Sequence, residues 1–204
     1  MASGIGTRAP KETRQLLLDA AKYLNHHYGG FDIKPGFDVT QWPQTDHPGW
    51  AAGSSQDWGV DLYSDQLKEQ LKALGGNRTF NPGVQDWSVR TMLHELAHRV
   101  GPWDYKGDNV NLEEGLAEQF GADAMPDYVH DKLNYKDPVY STPTAYVPRV
   151  NRVRRMSFNA ALLQDPNAAQ NYGLADSEAA KLFRARLLTM DYPHRRAVIN
   201  RQIG

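Results

Sequence analysis

The chain has 204 residues, 40% of them hydrophobic and 23% charged, with a net charge of −1 and no cysteine. This composition is that of a globular protein with one substantial core, and it excludes disulfides and thiolate metal ligands. No apolar run approaches membrane-spanning length, and a net charge near zero without a recognised module argues against nucleic-acid binding.

In chain order, residues 1–10 lack the apolar stretch of a signal peptide and read as a frayed arm. That slightly favours the cytoplasm, although the missing cysteines leave the compartment open. The spacing of Leu16, Leu17, Ala20, Ala21 and Leu24 predicts a helix over residues 11–28, stopped by Gly29-Gly30. Two alternating stretches, 37–42 and 58–63, read as half-buried strands. Ser64 caps a further helix, 65–74, which Gly75-Gly76 is expected to end.

Residues 86–100 carry the chemistry. Val89, Met92, Leu93, Leu96, Ala97 and Val100 form the apolar stripe of a helix, and Gly101-Pro102 stops it. His94 and His98 lie on a neighbouring stripe, one turn apart, so both imidazoles can reach one metal ion. Glu95 lies between them, near enough to handle a water at that ion. His94-Glu-Leu-Ala-His98 is the H-E-x-x-H arrangement of zinc hydrolases.

A third ligand is needed, and two completions are open. The segment 111–123 reads as a second short helix, and its Glu114-Gly115-Leu116-Ala117 resembles the E-G-x-A signature of the gluzincins, zinc metallopeptidases. The resemblance covers roughly residues 86–124. It implies His94, His98 and Glu114 as ligands of one zinc ion, Glu95 as general base and Glu118 as an acid supporting a ligand histidine. The short interval from His98 to Glu114 implies a compact member. The alternative extends the motif to H-E-L-A-H-R-V-G-P-W-D, which fits the metzincin pattern with Asp104 as third ligand. Met125 would then have to supply a Met-turn. Glu114 is preferred, and Glu113 is expected to face solvent.

The gluzincin resemblance further implies a single zincin-like α+β domain, with a small mixed sheet packed on the active-site helix and a mainly helical C-terminal part. The catalytic core is expected over residues 11–125 and the helical part over 126–204. The implied activity is peptide-bond hydrolysis on a peptide or protein substrate. An oxyanion donor is expected among Tyr128, His130, Tyr140 and Tyr146. An edge strand preceding the metal helix would pair with the substrate backbone, with 58–63 as the candidate. A non-catalytic protein on the same scaffold, or a toxin or phage-borne effector, remains as the alternative.

Residues 126–204 hold 12 of the 23 Lys and Arg but 7 of the 24 acidic residues, so residues 1–125 are acidic. The basic helices are expected to pack on the acidic half or to form a solvated face.

Overall fold

The computed structural model describes residues 5–55, 59–101, 109–164 and 178–203. It is a mixed α+β fold, mostly helical, with seven α-helices and one four-stranded sheet among these residues. The helices are α1 (Lys11–His27), α2 (Asp65–Asn77), α3 (Asp86–Ala97), α4 (Asn109–Lys132), α5 (Val147–Gln164), α6 (Glu178–Thr189) and α7 (Tyr192–Ile203). The strands are β1 (Thr7–Arg8), β2 (Val39–Gln41), β3 (Ala52–Ser55) and β4 (Gly59–Leu62). No described helix is long and apolar enough to cross a membrane.

The sheet order is β1-β2-β4-β3. β2 and β4 run parallel in the centre, with Val39 opposite Val60 and Gln41 opposite Leu62. β1 and β3 add to them antiparallel. Thr7 and Arg8 are therefore paired with Gln41 and Thr40, which corrects the reading of that segment as a frayed arm. The edge-strand expectation is corrected too. β4 is interior, and the edge on that side of the sheet is β3, a strand of Ala-Gly-Ser-Ser that follows a 3₁₀ turn at Gln44–Asp46; β1 forms the other edge. Trp58, at the start of the stretch 58–63, lies outside the described residues.

One continuous core joins α1, α2, α3 and the inner face of the sheet to α4. Leu16, Leu17 and Leu24 of α1, Leu67, Leu71 and Leu74 of α2, and Leu93 and Leu96 of α3 are fully buried in it. The apolar spacing that predicted these helices is thus the spacing that buries them. α2 continues through Gly75-Gly76 to Asn77 instead of stopping at 74, and Arg78 closes it in the left-handed region at φ 56°. A Cβ on Gly75 would lie 2.3 Å from the Glu12 carbonyl oxygen, so this glycine serves the close packing of α2 on α1.

α4 is the central helix, packed between α3 and α5 and touched by α6. It runs past position 123 to Lys132, and Pro126 lies inside it. Proline costs one backbone hydrogen bond there, but Phe120, Ala124, Met125, Tyr128 and Val129 are all buried around it and hold the helix together. The division expected at 125/126 therefore falls within a single helix. Met125 is a core residue of that helix and makes no Met-turn.

Two buried ion pairs tie the basic C-terminal helices to α4. Arg184 Nε of α6 donates to Asp123 at 2.6 Å, and Arg195 Nη1 of α7 donates to Glu113 at 2.6 Å. Part of the basic half thus does pack on the acidic half. Glu113, expected in solvent, is 3% exposed. Arg195 makes that burial tolerable, because a buried carboxylate must be paired.

Candidate metal centre

α3 reaches α4 at the point where the chemistry lies. Gly121 permits this, since a Cβ there would lie 2.8 Å from the Arg90 carbonyl oxygen and 3.2 Å from the His94 nitrogen. The close approach brings Glu114 and Glu118, one turn apart on α4, against the histidines of α3. The helix of α3 ends at Ala97, and His98 occupies its C-cap with helical angles, which keeps the two imidazoles on one side.

Three donor atoms converge. His94 Nε2 and His98 Nε2 are 3.0 Å apart, and Glu114 Oε2 lies 3.3 Å from the first and 3.6 Å from the second. A tetrahedral shell with bonds near 2.1 Å has ligand–ligand edges of about 3.4 Å, so the spacing fits a single metal ion. Among the described residues, these three form the group of His, Asp and Glu side chains able to hold a metal. Asp104, the alternative third ligand, lies outside the described residues.

The other side of His94 is also held. Its Nδ1 lies 3.2 Å from Glu118 Oε2. Glu118 Oε1 accepts the backbone amides of Thr144 and Ala145, at 3.1 and 3.3 Å. Arg90 lies 3.4 Å from the same oxygen and donates to the Thr142 carbonyl and the Thr144 hydroxyl. Sequence reasoning missed Arg90, although it stands four residues before His94 and eight before His98, on their helix stripe. Ser54 of β3 was missed as well; its hydroxyl donates to the Glu95 carbonyl at 2.5 Å and fixes the sheet edge to α3.

The electrostatics follow from burial and these contacts. Burial opposes charge on His94, but hydrogen bonds to Glu114 and Glu118 prevail and hold its pKa up at about 10. Burial likewise opposes charge on Glu114 and Glu118, and the histidines overcome it, so both carboxyls stay below their ordinary range. Glu95 goes the other way. Burial raises its pKa despite the nearby histidines, and its Oε2 has no hydrogen-bond partner among the described residues. A buried, unpartnered carboxylate oxygen is costly to keep, and it faces the cavity.

That cavity has a volume of about 560 Å³ and is bounded by β3, α3, the start of α4 and the loop at residues 144–146. Of the four oxyanion candidates, Tyr146 lines it, with its ring 6.2 Å from that of His94. Burial and the charges of Glu114 and Glu95 push the Tyr146 phenol up to about 12, so it keeps its proton at neutral pH. Tyr128 is buried in the core, and Tyr140 and His130 are exposed.

The fold and site together define a mixed α+β protein with a buried His–His–Glu group open to a cavity. No family model, curated protein or solved structure matches the chain.

Proposed function

We propose that the protein is a zinc-dependent metallopeptidase, a compact relative of the gluzincins, in which His94, His98 and Glu114 hold one zinc ion. The carrying observation is the convergence of those three donors within 3.6 Å, with Glu95, whose Oε2 has no hydrogen-bond partner among the described residues, lining the same cavity. Two imidazoles and a carboxylate form a donor set suited to zinc, with room left for a reactant. When bound, zinc would supply Lewis acidity that polarises a carbonyl and acidifies water.

The protein's own groups supply the rest. Glu95 takes the proton of the attacking water and delivers it to the leaving amine; its raised pKa brings it closer to the value such a base needs. Tyr146 donates its hydroxyl to the developing oxyanion. Glu118 holds the His94 imidazole in place from behind. β3 is an edge strand among the described residues, and its outer side would offer backbone hydrogen bonds to an extended peptide and align it along the cavity.

Purified protein supplied with zinc is expected to bind one equivalent and to cleave members of a random peptide pool. Glu95→Gln is expected to keep the zinc and lose the cleavage. Stoichiometric zinc without turnover on any peptide would make the site structural, and failure to take up metal would remove the reading altogether.

A further inference from the structure

Asp61 belongs to the interior strand β4, yet it lines the cavity beside the metal centre. Its register partner on the edge strand β3 is Gly53, which has no side chain to cover it. The fold does not demand glycine at that position. The backbone there is not left-handed, and a Cβ would meet the Tyr63 ring at 3.7 Å, an ordinary contact. With no side chain at Gly53, the space between the β3 backbone and Asp61 holds the edge of the Tyr63 ring, and all three residues line the one cavity.

Tyr63 and Trp50 line the cavity here, and His47 packs on Tyr63 from behind. The His47 and Tyr63 rings lie 4.3 Å apart, and the Trp50 ring stands perpendicular to Tyr63 at 6.3 Å. Trp50 is 60% exposed, so its indole is open to a ligand at this edge. No Lys or Arg among the described residues forms an ion pair with Asp61. Arg90, the arginine in the described cavity wall, is already balanced by Glu118. The Tyr63 hydroxyl donates to the Asp61 carboxylate, which keeps its charge, and a carboxylate beside aromatic rings is a receptor for a cation.

We propose that Gly53, Asp61, Tyr63 and Trp50 form a subsite selecting a lysine or arginine side chain of a peptide lying along β3. The identity of the ligand as a peptide rests on the metallopeptidase reading. Length makes the selection. Strands are spaced by about 4.8 Å, so a peptide added to β3 runs about 10 Å from the backbone of β4. A lysine ammonium on its four-carbon stem spans about 6 Å of this, and the Asp61 side chain and one hydrogen bond close the rest. A shorter amine stops over Gly53.

The test uses the Glu95→Gln protein supplied with zinc, so that binding is read without turnover. The probes are acetylated, amidated alanine peptides carrying one lysine, norleucine or 2,3-diaminopropionate, titrated by tryptophan fluorescence. The lysine peptide is expected to bind at least about tenfold more tightly than the other two. Asp61→Asn is expected to abolish that preference and leave norleucine binding within about twofold. Gly53→Val, which fills the space beside Asp61 and keeps the carboxylate, is expected to do the same. Equal affinity for lysine and norleucine, or a preference that survives Asp61→Asn, overturns the proposal. Absence of cleavage by the wild-type protein would defeat the peptidase reading, and the binding preference would still decide the subsite.

Discussion

Glu118 holds His94 with one carboxylate oxygen and the loop leading to Tyr146 with the other. Oε2 lies 3.2 Å from His94 Nδ1, while Oε1 accepts the amides of Thr144 and Ala145. A single side chain on α4 therefore sets the orientation of the His94 imidazole and the position of the loop over the cavity. Glu118→Gln cannot reproduce this, because a carboxamide has one acceptor oxygen where two are needed. Zinc affinity, measured by chelator competition, is expected to fall about 10- to 100-fold in Glu118→Gln. An unchanged affinity would show that His94 needs no such support.

Acidity should separate the metal-free from the zinc-loaded protein. His94 has its pKa raised from 6.5 to about 10, so the stability it contributes is complete below 6.5 and is lost as pH rises towards 10. Glu95, raised from its ordinary 4.5, acts in the same direction. Glu114 and Glu118 are lowered, so their contribution is present above 4.5 and is lost as pH falls below it. Zinc bound at the proposed site would displace the imidazole proton, so the alkaline loss from His94 is expected in the metal-free form alone. The gap between the melting temperatures of the two forms is expected to widen from pH 6.5 to 10. A constant gap would contradict the shared proton among His94, Glu114 and Glu118.

The grouping of His94, His98 and Glu114 was legible because ligand chemistry and helical spacing coincide in a few residues. The helices with one apolar stripe, α1 to α3, were legible for the same reason. The length of α4 was not. From Gly115 to Met125 it is buried on every side, with Glu118, Gln119 and Asp123 buried along with Leu116 and Phe120, so this stretch shows no amphipathic stripe to follow. β3 was overlooked because Ala-Gly-Ser-Ser carries none of the branched or aromatic residues that mark a strand. Gly-Val-Asp-Leu does carry the alternation, which drew attention to β4 although pairing places it in the interior. Glu113 was misjudged because its partner Arg195 lies 82 residues away.

That long-range pair carries its own consequence. Arg195 is 1% exposed and donates to Glu113 and to the carbonyls of Leu187, Leu188 and Met190. Arg195→Met would leave the Glu113 carboxylate buried without this partner, at a cost of about 3–5 kcal/mol by urea unfolding. Adding Glu113→Leu should recover part of that loss, since the pair can be replaced by apolar groups more cheaply than it can be broken. Glu113 directly precedes Glu114, so zinc affinity should fall along with stability in the single variant. A loss below about 1 kcal/mol would mean that water reaches Glu113 in its place.

Gly121 decides whether α3 and α4 can meet closely enough to form the centre. A Cβ at this position would stand 2.8 Å from the Arg90 carbonyl oxygen, which belongs to helix backbone and cannot turn aside. Gly121→Ala improves intrinsic helix propensity by about 1 kcal/mol, so an isolated helix would gain from it. Here the steric conflict is expected to outweigh that gain, lowering stability by about 1–3 kcal/mol. The two helices must separate by a few tenths of an ångström, which lengthens the distances from Glu114 to His94 and His98. Zinc affinity is therefore expected to fall by an order of magnitude or more, in a variant that alters no ligand. Gly76→Ala provides the control. A Cβ there meets nothing within 4 Å, so the same substitution in α2 is expected to raise stability slightly and leave zinc binding unchanged. If Gly121→Ala behaved like Gly76→Ala in both measurements, the spacing of α3 and α4 could not be what assembles the site.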